Sequence, residues 1–206
     1  MTMAYQQFYS GFLNANKNKQ HYACHSHYFW PDCTRDAMLA YWDDSAKYVD
    51  AKWGYFFETL VPELQQRISR ILNTGAPQQI VFAPNTHELL YRIMSCIDSR
   101  TPYKVVSTDS EFHSFQRQAS RMQEQGLIEL VTVPTKPYAT FASRFKAAIA
   151  EHNPELVFFS QVFFNSGYVV DDVSGIVNSV LNDNTIIVVD GYHGFMAKPT
   201  DLADIA

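Results

Sequence analysis

At 206 residues, 47% hydrophobic and only 18% charged, the chain has the make-up of a globular protein, long enough to bury a real core. A net charge of −5 with no basic stripe excludes general nucleic-acid binding. No run approaches the apolar length of a membrane span, and the opening "MTMAYQQFYSGF" lacks a signal peptide's charged-then-apolar layout.

Residues 1–31 are polar, aromatic and irregular, and read as an arm that borrows its order from elsewhere. His21, Cys24, His25, His27, Asp32 and Cys33 crowd together there, but their spacing matches no standard zinc pattern. The aromatics between them point to packing, and no metal is expected. Cys24, Cys33 and Cys96 form no CxxC pair and read as free thiols of a reducing cytoplasm.

Residues 32–78 form a helical lead-in. "DCTRDAMLAYWDDSAKYVDAKW" places Met38, Tyr41, Trp42, Ala46 and Val49 at helical spacing, with Pro31 near the start. "YFFETLVPELQQRISRILNTG" carries Leu60, Leu64, Ile68, Ile71 and Leu72 on one stripe and ends on a C-cap at Asn73-Thr74-Gly75.

From residue 79 the chain alternates. Strands are expected at 79–83, 104–107, 128–133, 155–160 and 185–190, with helices at 86–97, 112–125, 140–152 and 172–181. This predicts an α/β fold with a largely parallel sheet and helices on both faces.

Ligands of such sheets gather at the carboxyl ends of the strands. Those ends read "APNTHE" (83–88), "STDSEFHS" (107–114), "SQVFFNSGY" (160–168) and "DGYHG" (190–194). Thr86 is either an N-cap or part of a helix start whose free N–H groups meet a phosphate. Phe112 and His113 either pack under the next helix or stack on a flat ring. Asp190 closes a run of apolar residues, where an unpaired carboxylate is costly to bury. It either caps the "DG" turn or holds a protonated heterocyclic nitrogen, as an aspartate does for a pyridoxal phosphate ring. A triad of Ser110, His193 and Asp190 lacks the G-x-S-x-G elbow and is discarded.

Taken in order, these segments resemble the fold type I pyridoxal-phosphate enzymes of the class V aminotransferase group, and kynureninases most of all. "YACHSHYFWP" (22–31) is similar to the kynureninase F-L-G-N-S-L-G-L-Q-P segment, and "PNTHELL" (84–90) to its Asn-Ser-Leu-Thr phosphate segment. "EFHS" (111–114) resembles Ala-Phe-Pro-Ser, "SQVFFNSG" (160–167) resembles Val-Gln-Tyr-Tyr-Thr-Gly, and "VDGYHGF" (189–195) keeps the Asp-x-x-His spacing. The resemblance implies pyridoxal 5'-phosphate as cofactor. Thr86 and His87 would meet its phosphate, Phe112 would stack on its ring with Ser114 close by, and Asn165 would lie near the ring. Asp190 would hold the pyridine nitrogen and His193 would lie beside it, these two being the catalytic residues.

The same resemblance implies a cytoplasmic homodimer acting on an amino acid, by kynureninase-like hydrolysis or by class V transamination or desulfuration. In that family the Schiff-base lysine follows the aspartate by two dozen residues or more. Lys198, the only lysine after Asp190, lies eight residues on and is not expected to fill that role. Residues 79–206 are therefore expected to be an incomplete large domain, lacking the lysine strand and the C-terminal small domain, and inactive alone. The alternative is a non-catalytic fragment that acts by self-association or by binding a complementary chain.

Overall fold

The structure, a computed structural model, describes residues 5–22, 27–98 and 102–203. The chain divides into two compact units, Met1–Leu64 and Gln65–Ala206. Among the described residues no helix is long and apolar enough to cross a membrane.

The first unit is helical. A 3-10 turn (Tyr5–Tyr9) leads into α1 (Ser10–Ala15), whose first N–H groups, at Ser10 and Gly11, donate to the Asp32 carboxylate. Those donations hold the Asp32 carboxyl below its usual range. His21 stacks on Phe29 at 4.9 Å and His27 lies against Trp30, so these histidines pack among aromatic rings. Cys24, His25 and Ser26 lie outside the described residues.

The expected helix after Pro31 is α2 (Cys33–Tyr48), but its stripe is not core: Met38, Tyr41, Trp42 and Val49 are all more than half exposed. Helical spacing marks one face of a helix without saying what covers it. The helix ends at Val49, which adopts φ +48°. A 3-10 turn, the short α3 (Lys52–Tyr55) and a π-turn (Phe56–Leu60) then join it to α4 (Val61–Leu72). The expected stop is present, with Asn73 and Gly75 at positive φ and Thr74 N–H donating to Ser69 O.

The second unit is built on four parallel strands: β1 (Tyr103–Thr108), β2 (Ile128–Val133), β3 (Leu156–Ser160) and β4 (Ile186–Asp190), in the order β2-β1-β3-β4. Side chains alternate faces along each strand, and every strand is apolar on both. Val105, Leu156 and Phe158 pack against Leu90 and Met94 of α5 (Thr86–Ser95) and Phe115 and Ala119 of α6 (His113–Glu124). Val106, Val157 and Phe159 face the other way, onto Phe141, Phe145 and Ile149 of α7 (Phe141–His152) and Ile176 of α8 (Val173–Val177). The sheet thus has helices on both faces.

Two expected elements differ. Residues 79–83 are not a strand: a 3-10 turn (Pro77–Gln79) runs into irregular chain, with Val81 72% exposed. Apolar content alone does not make a strand without a ladder partner, and Pro77 and Pro84 flank this segment. The helix expected at 172–181 is only Val173–Val177, carries Gly175 at its centre and runs out at Asn178.

The topology sets where a ligand can sit. The chain passes from β1 outward to β2, then returns across β1 to β3 and continues to β4. The strand order therefore reverses between β1 and β3, which opens a crevice outside their carboxyl ends.

The core predicts its own weak points. Phe145 is fully buried, and Phe145→Ala should cost roughly 3–5 kcal/mol in urea unfolding; a loss near zero would remove α7 from the core. Asn153 ends α7 in the left-handed conformation at φ 44°. Asn153→Ala should cost about 1 kcal/mol, whereas Asn153→Gly should be tolerated.

Candidate functional site

Three strand ends converge at the crevice. β1 ends at Thr108 and runs through Asp109, Ser110 and Glu111 to Phe112, where α6 begins. β3 ends at Ser160, directly opposite Asp190, the last residue of β4. The Gln161 N–H donates to Asp190 O and fixes that pairing at its far end.

Asp190 has both of the roles its position suggested open to it. Its Oδ1 accepts the Tyr192 N–H at 2.9 Å, capping the Asp-Gly turn. Among the described residues Oδ2 has no hydrogen-bond partner, and the residue is only half-buried. A half-buried carboxylate oxygen with lone pairs to spare is a good acceptor for a protonated ring nitrogen.

Beside it stands an aromatic group. Phe112 is 42% exposed and lies edge-on to Phe164 at 5.3 Å and to His193 at 6.2 Å. His113 is edge-on to Phe164 at 5.5 Å. Phe112 also lies tilted against His113 at 5.2 Å, yet keeps a large open surface, which a stacking partner needs. It does not pack beneath α6; Phe115 does, stacked on Phe158 at 4.1 Å.

Thr86 and His87 open α5, but the cap is Asn85, whose side chain accepts the Glu88 N–H at 2.9 Å. The N–H groups of Thr86 and His87 belong to the unpaired first turn and face an anion favourably. Ser114 is the second residue of α6. Among the described residues no hydrogen bond or ring contact joins Thr86, His87 or Ser114 to the Asp190 group. Asn165 is drawn in differently, donating from Nδ2 to Ser110 Oγ at 3.2 Å. Ser110 Oγ donates to Asp109 Oδ1 and lies 3.0 Å from Thr135 Oγ1. Burial works against a charge on Asp109, yet the donations from Thr135 and Ser110 hold its carboxyl below the usual range. Lys198 is engaged elsewhere, its Nζ donating to Asp171.

One acid of the site escapes a reading of the sequence. Glu111 is 4% exposed, and its carboxyl receives Thr108 Oγ1 at 2.6 Å, Ser160 Oγ at 2.5 Å and Ser160 N–H at 3.2 Å. Burial pushes it up to about 7, against the three donations and with a further push from the Asp190 charge. The available signal was a second acid among small hydroxyl residues just past a strand, within "STDSEFHS".

Its raised value has a sign in stability. Between its ordinary value of 4.5 and about 7 the folded chain holds a proton that the unfolded chain has lost. The stability linked to Glu111 is therefore full below pH 4.5 and is lost as pH rises through about 7, on the order of 3 kcal/mol in all. Unfolding of wild type and Glu111→Gln across this range should show the fall in the former and a flatter profile in the latter. Parallel profiles would remove Glu111 as its source.

The fold has solved counterparts. A lysine-to-alanine mutant of C-DES, with glycine covalently linked to its PLP cofactor, is similar at a TM-score of 0.79 and 16% identity over 98% of this chain and 52% of that one. The cystine C-S lyase C-DES in complex with its reaction product cysteine persulfide gives 0.75 and 17%, over 92% and 51%. Histidinol-phosphate aminotransferase from Sinorhizobium meliloti, in complex with pyridoxal-5'-phosphate, gives 0.51 and 19%, over 71% and 39%. The chain thus spans about half the length of the C-DES structures it matches. No curated protein matches it in sequence. A family model described as aminotransferase class-V covers residues 30–206, and the chain belongs to that family.

Proposed function

We propose that this chain cradles pyridoxal 5'-phosphate in an enzyme acting on an amino acid. The observation that carries the reading is Asp190: an acid at the end of β4 with Oδ2 open, in the same group of strand ends as the half-exposed ring of Phe112. The residues present fit the cofactor. Oδ2 of Asp190 would accept the pyridine N–H, Phe112 would cover one face of the ring, and the N–H groups of Thr86 and His87 would meet the phosphate. His193, edge-on to Phe112, would help fix the ring's position, with Asn165 and Ser114 at its margin. When bound, the cofactor supplies an electron-accepting ring that takes up charge developing at the substrate's α-carbon. The task of Asp190 is to keep the proton on the ring nitrogen, and the aromatic wall excludes water from one side.

Kynureninase-like hydrolysis and class V transamination or desulfuration share this requirement. The segments after Pro84 support the kynureninase-like version through the Asp-x-x-His spacing and the Phe112 position. The reading takes 1–31 as an arm, 32–78 as a lead-in and 79–206 as the cofactor-binding part of a large domain. It takes the whole enzyme as a cytoplasmic homodimer.

Calorimetric titration of the chain with pyridoxal 5'-phosphate tests the assignment. Losing a charge-assisted hydrogen bond costs about 1.5–3 kcal/mol, so Asp190→Asn should bind roughly 10–100-fold more weakly. Phe112→Ala should lose about tenfold, the worth of one aromatic contact. Lys198→Ala should bind like wild type, because that amine is held by Asp171. Equal affinity of wild type and Asp190→Asn would sink the proposal.

A further inference from the structure

Glu111 is the one residue of charged type that is buried among the described residues, and the reading above gives it no task. It lies where the strand order reverses, joining the end of β1 to the end of β3 through Thr108 and Ser160. Ser160 in turn stands opposite Asp190 in the β3–β4 ladder. Two carboxyls thus stand on either side of the β3 end, at Ser160, one buried and one half-buried, where a second negative charge is opposed by the first.

The titratable groups around Glu111 can be named. Asp190 on β4 stands opposite Ser160, the residue that donates to Glu111, and its charge favours the neutral form of Glu111. Asp109, in the same turn, directs Oδ1 to the Thr135 N–H and Ser110 Oγ. His113 at the start of α6 and His193 after β4 both have their rings against Phe112. Among the described residues no cation forms an ion pair with Glu111.

We propose that Glu111 is a positioning residue that keeps a proton while Asp190 faces no cation and releases it when a cation settles on Asp190. The proton passes from the Glu111 carboxyl to solvent, and no covalent bond other than that O–H is broken. Burial is the larger obstacle to ionisation of Glu111, and the Asp190 charge adds to it. A cation on Asp190 offsets that added push, and the Glu111 carboxylate in turn holds the cation more firmly. By the same linkage, affinity for the cation rises with pH through the titration of Glu111. That the cation is a protonated pyridine ring rests on the proposed function; the coupling between the two acids does not.

Infrared titration of the carboxyl band in the ligand-free chain tests the coupling. Wild type should show a buried carboxyl titrating near neutral pH, and Glu111→Gln should lack it. Asp190→Asn should move it to lower pH by removing a charge, and Ser160→Ala should move it to higher pH by removing a donor. Ser160→Ala also identifies the group if Glu111→Gln does not fold. A band whose titration is unmoved in Asp190→Asn overturns the proposal.

Calorimetry with pyridoxine 5'-phosphate, which has the ring and phosphate without the reactive aldehyde, tests the release. Binding measured in buffers of different ionisation enthalpy near neutral pH should release more protons from wild type than from Glu111→Gln. Equal release overturns the proposal. If wild type does not bind this probe, the cofactor reading fails and the proton release fails with it. The ligand-free comparison of wild type with Asp190→Asn then decides the coupling alone.

Discussion

The hydrogen bonds from Ser160 to Glu111 close the seam on which the rest of this site depends. They lie where β1 and β3 run side by side but their connections diverge, one leaving for β2 and the other continuing to β4. Along its length the seam is covered on both faces, by Phe115 of α6 on Phe158 and by Phe145 of α7 on Phe159. At its carboxyl end the two connections leave in opposite directions, and side chains bridge the strands there. Ser160 donates across it, Thr108 donates from the β1 side, Glu111 accepts both, and the turn carrying Glu111 is thereby held so that Phe112 emerges at the crevice.

The same seam explains a division of labour among polar residues. Ser110, Thr135, Asp109 and Asn165 form one connected set on the β2 side, where donors and acceptors satisfy each other. Glu111, Ser160 and Asp190 form another on the β4 side, where among the described residues no cation forms an ion pair with Glu111. The first set is a brace. The second is electrostatically unfinished among the described residues, and the proposed cationic ligand would complete it.

Much of this was legible in the chain itself. β1 to β4 were readable because strands of a parallel sheet appear as short, β-branched, largely apolar runs, unbroken in the "IIVV" of β4 and interrupted by exposed Glu129 and Thr132 in the edge strand β2. Asp190 was legible because an acid closing such a run needs a reason. The segment 79–83 misled because apolar content carries no information about whether a neighbour is there to pair with. α2 misled in a similar way, since Met38 and Trp42 share a face that stays exposed among the described residues. Glu111 was illegible for another reason. An acid in a polar turn looks solvated until the fold brings Ser160, 49 positions later in the chain, over it.

The pairing of β4 has a consequence for how its acid is aimed. In "IIVVD" both faces are apolar, so sliding the strand by one residue would leave its burial nearly unchanged while turning Asp190 to the opposite side of the sheet. Hydrophobicity therefore cannot choose between the two settings. The choice falls to the strand's two ends, where Ile186 N–H is tied to Glu155 O and Asp190 O to Gln161 N–H. Between those pins the strand works as a ruler: its residues are interchangeable in kind, but their number is not.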